Sequence, residues 1–570
     1  MPEGVTDQME RASFESEHTR RGGAMEISRR KFLRYCGVTT VTLTTVRDWP
    51  LSAVAEVSAR TLLVTDWKEL ADVALGTARQ LGADYADIRI IRSRRETVAV
   101  GPGGGGGFGA FFAEEETGRD RRPTRVTRSE SLGFGVRVLY NGTWGFSASP
   151  MITPDEIRRI AAEAVAIARA NAAINTARVR LAPVKAYRET WRTPIVKNPF
   201  DVSLDEKIGL LVRVDEIGRK VKGVARVAAS LAFVHEHKRF ASTEGSYIEQ
   251  HIYHTLPNLT VTALRRDAGA RPDVATRNAF IPPQSIGYEY VEQLKWEEIV
   301  EQIAHEAVEM LSAKEVQPGR YTLLIAPSNL YLTIHETIGH STELDRVLGY
   351  EANFAGTSFL TLDKLGKYRV GSKIVNFVAD RTTPGGLATV GYDDDGVPAQ
   401  RWHLIREGIL VGYQTTRELA HVVRENFSRG CSYADSWSSM PIPRMPNVWL
   451  EPGKDRLSPD DLIADTKAGI LIEGRGSYSI DQQRLNFQFG GNAFWEIKNG
   501  KKVGMLRNVV YQSYTPEFWN SCDAICSQEY WVNQGTPGDG KGEPQQTNSV
   551  SHGCAMARFR NITVFNSGGV

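Results

Sequence analysis

Residues 321–340 read YTLLIAPSNLYLTIHETIGH, and the order of patterns inside this stretch decides the fold. Tyr321 to Ile325 is a short apolar run of strand type, and Asn329 to Gly339 follows as a helix. On that helix lies His335-Glu336-Thr337-Ile338-Gly339-His340. Two imidazoles at i and i+4 share one helix face, the spacing with which helices grip zinc. Here they are five apart, which is about 140° round an ideal helix. Both reach one ion only if the backbone departs from ideal geometry ahead of His340. Gly339 permits that, because glycine opens conformations other residues avoid. A widened turn, or a helix ending at Gly339, would swing His340 back toward His335.

Glu336 is placed to act as general base, taking a proton from a water that a cation has acidified and passing it to a leaving amine. The competing reading is a helix with two incidental histidines and a surface glutamate. Histidine is scarce (11 in 570 residues) and the flanks Leu332, Ile334 and Ile338 are apolar. Spacing alone leaves both readings open.

Outward from this segment the chain divides into four stretches. Residues 316–570 shift toward Gly, Thr and alternating strands, a β-rich C-terminal domain carrying the metal-site helix near its beginning. The middle stretch, 195–315, has alternating segments at Val224 to Phe233 and Ser246 to His254 and ends in the helix Trp296 to Ala313. Residues 56–194 mix both patterns: helices at Trp67 to Leu81 and Pro154 to Ala173, a strand at Tyr85 to Ile90, and two strands turning at Asn141-Gly142. The fold class is therefore α+β, with a mixed N-terminal α/β domain. Pro102 to Gly109 is a glycine run without the strand–helix context of a phosphate loop, and reads as a flexible insertion.

Residues 1–55 read as a structureless start and an export leader. Ser28-Arg29-Arg30-Lys31-Phe32-Leu33 precedes the modest apolar stretch Tyr35 to Val46, and Ala53-Val54-Ala55 supplies a small-residue cleavage site. This is the pattern of a twin-arginine signal, so a periplasmic or exported protein is expected, with Met25 an alternative start to Met1.

Lys plus Arg (69) nearly balances Asp plus Glu (67), and hydrophobic residues make up 41%. A sizeable core is affordable, and nothing in the charge argues for nucleic acid or an anionic membrane as partner. No apolar run approaches the roughly 20 residues a spanning helix needs. Five cysteines exclude a disulfide-dense scaffold. An oxidising compartment would allow one bridge among Cys522, Cys526 and Cys554; buried free thiols are the commoner arrangement.

The segment His335 to Arg346 resembles the His-Glu-x-x-x-His signature of the TldD/PmbA family of metallopeptidases. The resemblance continues through Gly349-Tyr350-Glu351-Ala352, Ala355 to Phe359, Gly391 to Pro398, Pro443 to Asn447, Asp465 to Gly469 and Pro516 to Cys526. Near the front, Gly82 to Asp87 and the Gly133–Phe146 hairpin are similar to the family's N-terminal domain. It covers nearly the whole chain after the leader, in order. It implies a zinc-dependent peptidase that hydrolyses peptides or unfolded segments inside a closed chamber formed by a homodimer or by a heterodimer with a PmbA-like relative. Family members are associated with degrading such peptides and with trimming leaders from modified peptides.

One departure concerns the third ligand, a cysteine in the family's late Cys-Gly-Lys-Gly segment. The matching stretch is Gly538-Asp539-Gly540-Lys541-Gly542, so the resemblance places Asp539 as the third ligand beside His335 and His340. Carboxylate oxygen binds zinc at a distance close to that of imidazole nitrogen. It also hardens the site, which opens it to another divalent transition metal such as manganese or iron. Cys526 or Cys554 is the fallback donor should Asp539 miss the ion.

Four further candidates remain open at this level. Glu343 and Glu351 either orient ligand imidazoles or are exposed helix carboxylates. Asp393-Asp394-Asp395-Gly396 is a solvated turn more readily than a calcium loop. His552 either contacts substrate or belongs to a surface loop. Two rival functions compete with the peptidase: a metal-free PmbA-like structural subunit, and a carbohydrate- or ligand-binding module built on the β-rich surface.

Overall fold

Along Asp87-Ile88-Arg89-Ile90, charged and apolar residues alternate, and the two faces of the strand Tyr85–Val100 meet different parts of the protein. The computed structural model describes residues 58, 61–62, 65–101, 123–266 and 272–569. Residues 1–55, read from sequence as a start and export leader with Met25 and Cys36, and the glycine run Pro102 to Gly109 lie outside the described residues.

The first sheet contains β1 (Tyr85–Val100), β2 (Thr124–Tyr140), β3 (Thr143–Ser149), β4 (Arg188–Arg192), β5 (Val224–Ser242), β6 (Tyr247–Arg265) and β7 (Asp273–Asn278). Its order is β3-β2-β1-β5-β6-β4, with β7 also paired to β6. The N-terminal and middle stretches thus share one sheet, joined by β1 and β5 in antiparallel register from Asp87 opposite Ser242 to Val100 opposite Ala229. The β2–β3 connection turns at Asn141 (φ 47°) and Gly142 (φ 70°), the left-handed pair a two-residue hairpin turn needs.

Helices α1 (Trp67–Gln80) and α2 (Pro154–Ala172) cover one end of the sheet's outer face; α3 (Leu204–Lys220) and α4 (Trp296–Met310) cover the other. The Thr153 hydroxyl accepts from the Glu156 N–H and Pro154 opens the first turn of α2. The stripe Ile157, Ile160, Ala161, Ala164, Val165 and Ala168 then packs on Ile88, Ile90, Phe134 and Val136. Each such Ile or Val contributes roughly 1.5–3 kcal/mol by burial. Gly145 is required where β3 passes under α2, since a Cβ there would sit 2.1 Å from the Ala164 carbonyl oxygen.

The other face of the sheet is charged and meets the C-terminal region. Arg137 donates to Asp87 of β1 (2.9 Å) and to Asp395 (2.6 Å), and Lys238 donates to Asp394 (3.1 Å). The run Asp393-Asp394-Asp395 is therefore not a solvated turn. All three are at most 5% exposed, and their oxygens are committed to cations and to the backbone N–H groups of Asp395, Val397, Ser432 and Ala434. With those oxygens taken, the run latches the two regions together instead of loading calcium. Burial, then the neighbouring Asp395, pushes the Asp393 carboxyl up to about 7.

The C-terminal region is β-rich. β8 (Gly319–Ile325) lies in a ten-stranded sheet between parallel β9 (Ala468–Glu473) and an antiparallel strand, Ala557–Asn566. Ala326 leads from β8 into α5 (Pro327–Ile334). Asn329 anchors α5 by donating to the carbonyls of Gly474 and Gly490, each at 2.8 Å. A separate two-stranded ribbon of β10 (Val532–Lys541) and β11 (Gln546–Cys554) packs on α5. Cys431, Cys522, Cys526 and Cys554 are all free and buried, so no bridge forms among them. Among the described residues no helix is long and apolar enough to cross a membrane.

Candidate metal centre

The α5 helix does not simply continue through the motif. After Ile334 the backbone widens: the His340 N–H donates to the His335 carbonyl, one residue further back than in an α-helix. This single wide turn, His335–Gly339, brings the two imidazoles from opposite sides to ring centroids 4.5 Å apart. Gly339 serves the turn differently from expectation. Its φ of −52° is ordinary for any residue. What excludes a side chain is Met445, whose Sδ would lie 2.5 Å from a Cβ at this position.

The β10–β11 ribbon carries Asp539 over the widened turn. Its Oδ1 is 3.5 Å from His335 Nε2 and 3.5 Å from His340 Nε2. Ligand atoms about 2.0–2.2 Å from a tetrahedral zinc stand roughly 3.4 Å apart, so the spacing fits one ion. The three residues are 5%, 4% and 7% exposed, and their candidate ligand atoms all lie within 4.8 Å of one another.

The remaining polar atoms of these residues are occupied, which leaves the three facing atoms as the free donors. His335 Nδ1 meets His552 Nε2 at 2.7 Å. His340 Nδ1 meets Glu343 Oε2 at 2.8 Å. Asp539 Oδ2 accepts from Arg444 at 3.0 Å. Such outer partners fix ring orientation and tautomer in metal sites. Glu343 is itself held by Arg346 (3.1 Å) and Lys541 (2.9 Å), and Lys541 also donates to Asp345.

Charge follows this wiring. Burial alone would raise the Asp539 carboxyl, but His340 and His335 outweigh it and hold the group well below the usual carboxylate range. Burial likewise opposes the charged form of Glu343, and Lys541 and Arg346 overcome it, again leaving the carboxyl well below its ordinary value. Burial, reinforced by His335, presses His552 far down and keeps it neutral.

Glu336 is also buried, with Oε2 accepting from Arg484 Nη1 at 3.2 Å, and the same guanidinium donates to the Ala355 carbonyl at 3.1 Å. Glu343 proves to be the orienting partner of His340. Glu351 accepts weakly from the Gly542 N–H at 3.4 Å, and no hydrogen bond from it to a ligand imidazole is found among the described residues. His552 is fully buried rather than on a surface loop, because β11 carries it into the core beside His335. Cys526 and Cys554 sit in the apolar core, and burial pushes the Cys526 thiol up to about 12. Arg484 escaped the sequence reading: it is a lone arginine 148 positions from Glu336, with no motif around it.

By class, this is an α+β protein built on a seven-stranded and a ten-stranded sheet with smaller sheets beside them, and its interior offers two imidazoles and a carboxylate to one point. Three family models match along it in order: PmbA/TldA metallopeptidase domain 1 over residues 86–168, the central domain over 197–313 and the C-terminal domain over 318–566. The chain belongs to the PmbA/TldD family of metallopeptidases. It is 26% identical to a metalloprotease of Methanocaldococcus jannaschii, covering 81% of this chain and 94% of that one. It is 28% identical to a TldD homologue named as a metalloprotease from Buchnera aphidicola, covering 66% and 75%. A zinc metalloprotease TldD homologue of Saccharolobus solfataricus is 23% identical, covering 80% and 92%. In fold, the chain is similar to TldE from Thermococcus kodakarensis at a TM-score of 0.64, with 17% identity over 86% of this chain and 98% of that one.

Proposed function

We propose that this protein is a metal-dependent peptidase whose divalent transition ion, zinc in the first instance, is held by His335, His340 and Asp539. The observation that carries the reading is the convergence of two imidazole nitrogens and one carboxylate oxygen, each 3.5 Å pair matching the spacing of a tetrahedral site. The metalloprotease names of the relatives, one of them a zinc enzyme, support it.

A divalent ion at this point supplies Lewis acidity, acidifying water and polarising a peptide carbonyl. The chain's own residues do the rest. Glu336 takes the proton of the attacking water and delivers it to the leaving amide nitrogen. Arg484, fixed by Ala355, aims Glu336 through Oε2. His552 and Glu343 hold the two imidazoles in the tautomer that turns Nε2 inward. Asp539 in place of a thiolate hardens the donor set, so manganese or iron is a working substitute. The substrate is a peptide or an unfolded segment, and the working assembly is a dimer with a second copy or a TldE-like relative, a reading the fold likeness to TldE supports. Export through the twin-arginine route belongs to the same proposal, on the strength of Ser28 to Leu33 and Ala53-Val54-Ala55.

The test uses full chain purified without chelator. Hydrolysis of an unstructured peptide should be abolished by chelation and restored by Zn2+. Glu336→Gln should keep its ion and turn over about 10²–10⁴-fold more slowly. Protein that holds no metal and gains no hydrolysis on adding Zn2+ or Mn2+ would overturn the reading.

A further inference from the structure

On the outer face of the first sheet, the two helix pairs leave a half-buried furrow between them, with the Phe200 ring against Arg94 and His235. Ile88 and Ile90 lie under α1 and α2, and Val98, Leu231 and Phe233 lie under α3 and α4. Between those ends the same face presents Arg92 and Arg94 of β1, His235 and His237 of β5, and Glu249, His251 and Tyr253 of β6. Register puts His237 directly opposite His251 and His235 directly opposite Tyr253. Paired side chains of neighbouring strands share a face with Cβ atoms about 5 Å apart.

Three of these residues converge. His237 Nε2 is 2.6 Å from Glu249 Oε1, the His237 and His251 rings lie 4.0 Å apart, and the candidate ligand atoms of His237, Glu249 and His251 all fall within 4.8 Å of one another. His235 adds a fourth imidazole: its Nε2 is 3.2 Å from His251 Nδ1, and its ring stacks on Tyr253 at 4.1 Å. All four polar residues are half-buried, so the cluster is ordered by its neighbours yet open to solvent.

We propose that His237, Glu249 and His251 form a second transition-metal site, separate from the His335–His340–Asp539 centre, with His235 as the residue that orients His251. The surroundings select the class of ion. Arg92, Arg94 and Arg239 face the cluster from β1 and β5, and Arg192 stands opposite His251 on β4. Arg239 already holds Glu249 at 3.1 Å, while Arg92 and Arg94 turn toward Glu130. A hard cation such as Ca2+ or Mg2+, which needs several oxygen ligands, finds one carboxylate among guanidinium groups. An ion that bonds imidazole nitrogen, such as Zn2+, Ni2+ or Cu2+, finds two such donors in His237 and His251. Two donors on β6 and one on β5 would also clip the hairpin together across the gap between the helix pairs.

Equilibrium dialysis of the full chain against Zn2+, with metal analysis, tests the proposal. The parent should hold two equivalents per chain. His237→Ala/His251→Ala should lose one and keep the other, whereas His340→Ala should lose the other and keep this one. Glu249→Gln, which preserves size and both imidazoles, should also lose the furrow equivalent, and it guards against a misfolded double variant. A full complement of Zn2+ in both the furrow double variant and Glu249→Gln would overturn the site and leave the cluster as ring stacking alone. A parent holding a single equivalent that disappears only in His340→Ala would overturn it equally.

Discussion

His335 Nδ1 and His552 Nε2 meet at 2.7 Å although 217 positions separate them in the chain. Metal binding through His335 Nε2, the atom that faces Asp539, requires the ring proton on Nδ1, where His552 Nε2 stands within reach to accept it. His552→Ala should therefore weaken Zn2+ binding about 10–100-fold, the usual effect of removing an outer partner. His552→Gln, which keeps an acceptor in reach, should lose less. Zinc retention against graded chelator measures both, and parental affinity in the alanine variant would remove His552 from the centre.

Asp539 has two duties, and its variants separate them. Oδ1 faces the imidazoles, while Oδ2 and the backbone carbonyl accept from buried Arg444. Asp539→Ala takes the carboxylate from that guanidinium, leaving it the backbone carbonyls of residue 539 and Gln546, and should cost about 3–5 kcal/mol, as when one partner of a buried ion pair is removed. Asp539→Asn keeps an acceptor for Arg444, so it should unfold closer to the parent while losing the ion. Asp539→Cys should recover metal binding. If the asparagine variant binds Zn2+ like the parent, the carboxylate is not a ligand.

How far the sequence carries this result can be read residue by residue. The helices at Trp67 and Pro154 and the hairpin at Asn141-Gly142 were legible because caps, apolar spacing and turn residues act locally. α3 was equally signalled by Ser203 three residues ahead of Glu206 and was overlooked. The widened turn was legible only as a requirement: histidines five apart either share no ion or distort the helix. Its steric partner Met445 was not, since which side chain fills a space is settled by tertiary packing. The aspartate run misled for a related reason. Three consecutive carboxylates look solvated until a sheet built from residues far away brings Arg137 and Lys238 to them.

Gly339 offers a direct test of that packing. Gly339→Ala places a methyl 2.5 Å from Met445 Sδ in a fully buried region and should destabilise by about 1–3 kcal/mol, the range for overpacking. The same methyl should disturb the widened turn and weaken Zn2+ binding. Shortening Met445 to Ala in the same chain should restore part of the metal affinity, because the clash is then gone. Unfolding temperature and zinc retention report the two effects, and a Gly339→Ala variant matching the parent in both would disprove the packing constraint.

The last prediction concerns pH and a histidine on β6 whose side chain lies on the opposite face of the sheet from the His237–Glu249–His251 cluster. His254 is buried on β6 opposite Val234 of β5, and its Nε2 has no hydrogen-bond partner among the described residues. Burial, helped by the charges of Arg95 and Lys238 and opposed by the Leu387 backbone, brings its pKa down to about 4. In the unfolded chain it titrates near 6.5. Above about pH 6.5 both states are neutral and His254 adds no pH dependence. Between 6.5 and 4 the unfolded chain takes up a proton that the folded one refuses, so stability falls as pH falls. The full penalty, present below pH 4, is roughly 3 kcal/mol at about 1.4 kcal/mol per pKa unit. His254→Leu removes the group and should flatten the decline of unfolding temperature across that window, leaving the curves parallel above pH 7. Carboxylates that titrate in the same range are common to both proteins and cancel in the difference. Curves that stay parallel from pH 7 to pH 4 would show that His254 is protonated as readily in the folded protein as in the unfolded chain.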